Sequence, residues 1–417
     1  MILDKSAYRN KSIYIIGISG FFIFSLTCLI YLPALRNGFI WDDVLYVSEN
    51  TLIRTLSISS LYEMLISFHA SNWHPLTWLS LALDYSFWTL DPLGYHLTNI
   101  LLHGLNVLLV FFVTIKLIVQ AENALSSQSK QEPLTLNRFL IAAGTTALLF
   151  GLHPIHVESV VWVSERKDLL CTLFFLLTIF SYLKYTSSII ERKRWFIVCL
   201  SLFLLALMSK PMAVTLPLTL LLLDIYPLKR ISLYPFRTLH NSSPFLEKIP
   251  FLTLSVVSSI ITVLAQHTGG AIRTIERFPA DARLLNALNS LVFYLQKILL
   301  PIKLVPFYPF PARVYWLDSE HFLSVIFVLT ITASCLWSLT QGKHLLFIAW
   351  SYYVITLLPV LGIIQVGGQS AADRYTYLPS LGIFILMGVG ISWVFENLAK
   401  LKRRIAIAGL VLIFLFF

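Results

Sequence analysis

Apolar runs of helical length, parted by short loops, constrain this chain more than any motif in it. A helix needs roughly 17 to 25 apolar residues to cross a bilayer. Runs near 13–35, 95–119, 139–156, 168–187, 195–210, 211–227, 250–267, 321–340, 345–364 and 378–396 approach or exceed that length, and another starts at 405. None shows the ~10-residue alternation of an outer-membrane barrel. With 57% hydrophobic and only 12% charged residues among 417, an ordinary soluble domain is excluded. The expected fold is an all-α membrane protein, a polytopic bundle of about eleven transmembrane helices.

The net charge of +10 does not mark a nucleic-acid binder, because the basic residues are scattered among loops rather than gathered on one stripe. Topology accounts for them. Clusters at Arg192-Lys193-Arg194, Lys229-Arg230 and Lys402-Arg403-Arg404 mark the cytoplasmic side. Lys5, Arg9 and Lys11 precede an apolar stretch too long for a signal peptide, which reads as an uncleaved first span. Cys28, Cys171, Cys199 and Cys335 all fall inside apolar runs, as helix-packing residues do.

Parity of the spans turns on one segment. Arg283 to Lys303 is apolar, yet it carries Asn286, Asn289, Gln296 and Lys297; were it to cross, Lys402-Arg403-Arg404 would be external. An amphipathic helix in the outer interface, within a segment of about 268–320, satisfies the positive-inside rule. The first outer loop, 36–94, is then the longest, with helix-like stretches at 58–68 and 75–88. A structured loop of that length is more often functional than connecting. Residues 123–132 read as a polar cytoplasmic linker, and the run from Ile405 to Phe417 is short for a span, as in a fragment whose next domain lies beyond it.

Four constellations can carry chemistry. Asp42-Asp43 sits just past the first span, where two adjacent carboxylates can cap a helix, or where one can act as general base while the other tunes or orients. His153-Pro154-Ile155-His156-Val157-Glu158 leads through Trp162 to Glu165-Arg166-Lys167-Asp168; it can line a cleft mouth or anchor at the interface, and its spacing fits no zinc motif. His96, Asn99, His103 and Asn106 form one stripe on the second span, for interhelical hydrogen bonds or a substrate cavity. In Asp373-Arg374-Tyr375, Arg374 can grip a phosphate or simply pair with Asp373. No glycine pattern for nucleotide binding is present.

Read together, the motifs resemble a known family. Phe39-Ile40-Trp41-Asp42-Asp43, Trp73-His74-Pro75-Leu76-Thr77 and the run Gly94 to His103 are followed by His153 to Val160, Ser164 to Leu170, Ser209-Lys210 and Ala372 to Pro379. The series resembles the membrane part of the transmembrane-and-tetratricopeptide-repeat O-mannosyltransferases and their bacterial relatives, within the GT-C glycosyltransferases, over residues 1–417. The resemblance implies transfer of a mannose-like sugar from a polyprenyl-phosphate carrier to an acceptor hydroxyl, such as protein Ser or Thr, by inverting displacement. It implies Asp42 or Asp43 as the catalytic acid pair, with Asp42 favoured as base, and Arg374, Lys210, Arg166 and Lys167 as donor-phosphate ligands. His74, His96, His103, His153, His156, Glu158, Glu165, Asp373 and Tyr375 are the candidate cleft-lining residues. No cofactor is expected; a divalent metal is optional in the superfamily and is not favoured here.

In a bacterium the chain would lie in the inner membrane with its site facing the periplasm. Family members usually continue into tetratricopeptide repeats that present acceptors; none follows here, which leaves the acceptor open between protein and a lipid or surface glycan. A transporter or assembly scaffold is the other class, and the chain lacks the internal repeats and paired broken helices of common transporters.

Overall fold

The computed structural model describes residues 5–126, 136–233, 236–238, 244–311, 314–315, 318–397 and 409. The apolar runs fold as helices, which alone among open structures satisfy every backbone polar group away from water. In chain order these are α1 (Lys5–Tyr31), α2 (Ile58–Ile66), α3 (Pro75–Trp88), α4 (Pro92–Ser126), α5 (Leu136–Leu152), α6 (Val157–Val161) and α7 (Arg166–Ser187). Then come α8 (Arg192–Ser209), α9 (Leu216–Ile225), α10 (Ile249–Thr268), α11 (Ala280–Leu299), α12 (Ser319–Thr340), α13 (His344–Leu357) and α14 (Ser380–Asn397). Two small antiparallel ribbons join loops: β1 (Ile231–Leu233) with β2 (Phe236–Thr238), and β3 (Tyr308–Pro309) with β4 (Gln369–Ala371), where Tyr308 faces Ala371.

Six stretches are long and apolar enough to cross a bilayer, Ser12–Arg36, Pro92–Asn123, Val163–Ser187, Leu246–Thr268, Ser319–Thr340 and Ser380–Asn397. A seventh is α5 joined to Pro154–Val161 across a 49° bend. The chain is an integral, multi-pass membrane protein. The expected count of about eleven full spans is not found among the described residues. α8 opens on Arg192, Lys193 and Arg194, which shortens its apolar part, and Pro211–Ile225 and His344–Val360 are short apolar segments. The run from 405 lies outside the described residues except for Gly409, as does most of the linker 123–132.

α4 is the axis of the bundle, packed on α1, α5 and α7, while α14 lies along α5 and α8 along α7. Small residues permit the close approach: a Cβ on Gly388 of α14 would stand 2.4 Å from the Ala142 carbonyl oxygen of α5. The polar stripe of α4 turns inward. His103 donates through Nε2 to the Gly151 carbonyl at 3.0 Å and accepts the Tyr377 hydroxyl at Nδ1 at 2.7 Å. Asn106 donates to the Leu169 carbonyl at 2.9 Å and to the Tyr377 hydroxyl at 3.2 Å. Such bonds answer polar groups that lipid cannot.

The bend between α5 and α6 falls at Pro154, which has no amide hydrogen to continue the helix. His153 fills the gap. Its Nδ1 accepts the Ile155 amide at 3.2 Å and its Nε2 donates to the Ile298 carbonyl of α11 at 2.9 Å. The 36–94 loop builds a second core from Tyr46, Val47, Ile53, Met64, Trp78 and Leu81, closed by Tyr95 of α4 and by Val163 from the start of the α7 span. Ser57 caps α2 by accepting the Ser60 amide at 3.1 Å, and Pro75 begins α3, where its missing donor costs nothing.

Candidate active site

The Asp42-Asp43 pair is split by the backbone. Trp41, just before them, has φ of +45°, a left-handed conformation rare for a bulky residue, and the two carboxylates that follow meet different surroundings. Asp43 points inward and is fully buried. Its carboxylate accepts the Ile40 amide at 3.1 Å, the Ser164 amide at 2.7 Å and the Ser164 hydroxyl. Burial pushes its pKa up, against these hydrogen bonds. Asp42 is exposed, and its carboxylate has no hydrogen bond or ion pair among the described residues.

Beside the pair stands a charge cluster assembled from α6, the turn Val163–Glu165, the first turn of α7, Lys210 after α8 and the turn Asp373–Thr376. Glu165 is its centre. It meets Lys167 at 2.9 Å, Lys210 at 3.5 Å and the Arg374 Nε at 3.3 Å. Lys210 also binds Asp168 at 2.6 Å, and Glu158 takes the Arg374 backbone amide at 2.8 Å together with its guanidinium. Three cations thus balance three carboxylates, the condition under which charge can be held away from water. Burial works against the charged form of Arg374, but Glu165 and Glu158 keep its pKa above the ordinary value.

Aromatic rings line the same cluster. Lys167 lies 4.8 Å from the Tyr46 ring centre, Arg374 5.3 Å from that of Trp162 and Lys210 5.7 Å from that of Tyr375. Burial pushes the pKa of the Tyr46 hydroxyl up; Lys167 and Lys210 work against that shift, while Glu165 and Asp42 add to it. His74 is buried nearby with Nδ1 unpartnered among the described residues; burial, Lys167 and Lys210 hold its pKa well below the ordinary value, so the ring is neutral. Thr77 ties α3 to this corner by donating to the Ser209 carbonyl at 3.1 Å.

Several expected residues stand elsewhere. Arg166 does not face the cluster: it is fully buried and bound to Asp84 at 2.5 Å, to Asn99 at 2.8 Å and to the Tyr95 carbonyl at 2.8 Å. Successive residues on a helix diverge by about 100°, so Arg166 enters the seam with α3 and α4 while Lys167 and Asp168 turn to the cleft. His103, His153 and His156 pack the bundle rather than line an opening; His156 donates to the Phe150 carbonyl at 2.7 Å and meets the Ser380 hydroxyl at 3.0 Å. His96 is buried beside Asp43 and the backbone of Gly38 and Val161.

Asp373 does not pair with Arg374. Its oxygens accept the Tyr308 hydroxyl at 3.1 and 3.2 Å, and burial lifts its pKa to about 7. Tyr375 stays at the cleft, its hydroxyl held by Gln369 at 3.1 Å. Among the described residues no group of three or more His, Cys, Asp or Glu side chains is disposed to hold a metal. Sequence reasoning missed Tyr46, Ser164, Asp84 and Tyr308 as partners, because each meets its mate across the fold; Ser164 alone had a signal, as the residue before Glu165 in a quoted motif.

A cavity of about 900 Å³ lies elsewhere, lined by Val113, Leu117, Leu222, Leu223, Ile348 and Ile385 among others. It also touches Ile179, roughly 16 Å along α7 from Asp168 at helical rise. Its walls are mostly apolar, with Glu122, Arg138 and Tyr226 among the few polar groups on its lining.

No family model matches the chain. Human protein O-mannosyl-transferase TMTC4 is 28% identical over 392 residues, covering 83% of this chain and 50% of its own length. Drosophila melanogaster protein O-mannosyl-transferase Tmtc1 is 32% identical over 201 residues, covering 46% of this chain and 21% of its own length. The crystal structure of ArnT from Cupriavidus metallidurans bound to undecaprenyl phosphate superposes with a TM-score of 0.40 at 13% identity, over 98% of this chain and 64% of that one. The chain spans about half the length of the curated TMTC4 relatives it matches. Over most of its own length, this membrane protein is similar to the protein O-mannosyl-transferases.

Proposed function

We propose that the chain is a GT-C-type glycosyltransferase that moves a mannose-like sugar from a polyprenyl-phosphate carrier to an acceptor hydroxyl, on the periplasmic or lumenal face. The observation that carries the proposal is an exposed, unengaged Asp42 four residues before Tyr46, whose ring lies 4.8 Å from Lys167 in a cluster that also holds Lys210 and Arg374. One side can receive a proton and the other can receive an anion, which are the two needs of glycosyl transfer from a phosphate.

Asp42 takes the proton of the acceptor hydroxyl as its oxygen bonds to the anomeric carbon. The bond from that carbon to the phosphate oxygen breaks, the carrier phosphate leaves with the electron pair, and the configuration inverts. Lys167, Lys210 and Arg374 face the growing charge on the leaving phosphate, an electrostatic stabilisation of about 3 kcal/mol per well-placed donor. Asp43 acts at one remove by fixing the turn that exposes Asp42. Arg166 holds α3, α4 and α7 together instead of binding the donor.

The names of the relatives favour a protein hydroxyl as acceptor. The deciding experiment is a purified-protein assay with a panel of radiolabelled polyprenyl-phosphate sugars, with and without membrane proteins as acceptors. Label in protein Ser or Thr supports the proposal, label only in lipid or glycan replaces the acceptor, and no transfer from any donor rejects it.

A further inference from the structure

We propose that Trp41, braced by Trp162, is the platform on which the transferred sugar ring stacks. The inference rests on the donor reading above and adds the part of the site that neither the acid nor the cations supply. A pyranose presents one face of polarised C–H bonds, and an open aromatic ring offers a matching negative face.

Trp41 is 55% exposed although it sits beside the candidate base. Its ring meets that of Trp162 edge to face, with centres 5.4 Å apart. Trp162 is itself buried, and Arg374 and Lys167 lie 5.3 and 5.9 Å from its ring centre. Trp41 thus adjoins Asp42 in the chain and reaches Lys167 and Arg374 through Trp162. A sugar stacked on the exposed ring of Trp41 would lie between the base and the leaving phosphate.

The backbone argues for the same role. Trp41 occupies the left-handed region at φ +45°, and the turn is closed by the Asp43 amide on the Ile40 carbonyl at 2.9 Å and by the Asp43 carboxylate on the Ile40 and Ser164 amides. Conformations of this kind persist only where the surroundings over-determine them, and they gather at binding sites. A tryptophan serving as an interfacial anchor needs neither a fixed left-handed turn nor an edge contact with a buried partner.

The test compares the full chain with Trp41→Leu and Trp41→Phe, each in lipid nanodiscs, for binding of mannosyl polyprenyl phosphate and of the same carrier without sugar. Wild type is expected to prefer the mannosylated carrier, Trp41→Leu to lose that preference by roughly tenfold, and Trp41→Phe to recover part of it, with affinity for the bare carrier unchanged. Thermal unfolding of both variants checks that they are folded. A Trp41→Leu protein that keeps the wild-type preference overturns the platform. Equal weakening towards both carriers overturns it too, and assigns the ring to membrane anchoring. If wild type binds neither carrier, the donor reading itself fails; if wild type binds and the variant is unchanged, only the platform fails.

Discussion

Asp43 accepts both the backbone amide and the side-chain hydroxyl of Ser164, a residue 121 positions further along the chain. That contact fastens the first turn of the outer loop to the start of the α7 span. It also separates two adjacent acids into a structural one and a free one.

Asp42→Asn should remove transfer while leaving thermal stability and donor binding near wild type. Asp43→Ala should lower stability by about 1–3 kcal/mol, because the Ser164 and Ile40 donors lose their buried acceptor. The two variants are separated by measuring turnover and unfolding side by side. Wild-type turnover in Asp42→Asn would end its assignment as base.

Arg374→Ala should raise the donor KM about tenfold or more, the worth of a lost charge-assisted contact. Glu158 complicates the measurement, since it loses its partner at the same time. A Glu158→Gln, Arg374→Ala double-mutant cycle apportions the two effects, and a donor KM insensitive to Arg374 in both backgrounds would remove the phosphate role.

Asp84→Asn should destabilise the protein by about 3–5 kcal/mol, because it strands the buried Arg166 guanidinium. Donor KM in the protein that remains folded should stay close to wild type. A large KM change without loss of stability would return Arg166 to the donor site.

The pH dependence of stability should carry the mark of Asp373. Its carboxyl titrates at about 7 in the fold against an ordinary 3.8, so the folded state holds a proton that the unfolded state has already released. Its contribution to stability is fully present below the ordinary value and is lost as the pH rises towards 7. Asp373→Asn should flatten the fall in Tm across that window, and an identical slope in both proteins would show that another group sets it.

The helices and the inward turn of the α4 stripe were legible because hydropathy and a 3.6-residue period are local properties. The Asp42-Asp43 division was not, since it follows from a partner of Asp43 far along the chain, Ser164. Arg166 misled for a similar reason: next to Lys167 and Asp168 in sequence, it points to another helix seam in space. The expected number of spans is not reached among the described residues where prolines and end charges cut apolar runs, as at Pro211 and Arg192-Lys193-Arg194. Ion pairing crossed the nearest-neighbour expectation as well, for Asp373 and Arg374 are adjacent yet find Tyr308 and Glu158.

Asn99 sits within a spanning helix, yet its side-chain amide donates to the carbonyls of Val160 and Trp162 at 3.1 and 3.3 Å, and its oxygen takes Arg166. The floor that bears the cations is therefore suspended from α4, and through Ser164 it also carries the turn of Asp42. α2, by contrast, packs on α3 and the short turn at Thr51–Ile53. Redesign can accordingly recut the exposed side of α2 as a brim, at Ile58, Tyr62 and Ile66, while Met64 stays in place to keep the core under Tyr46 filled.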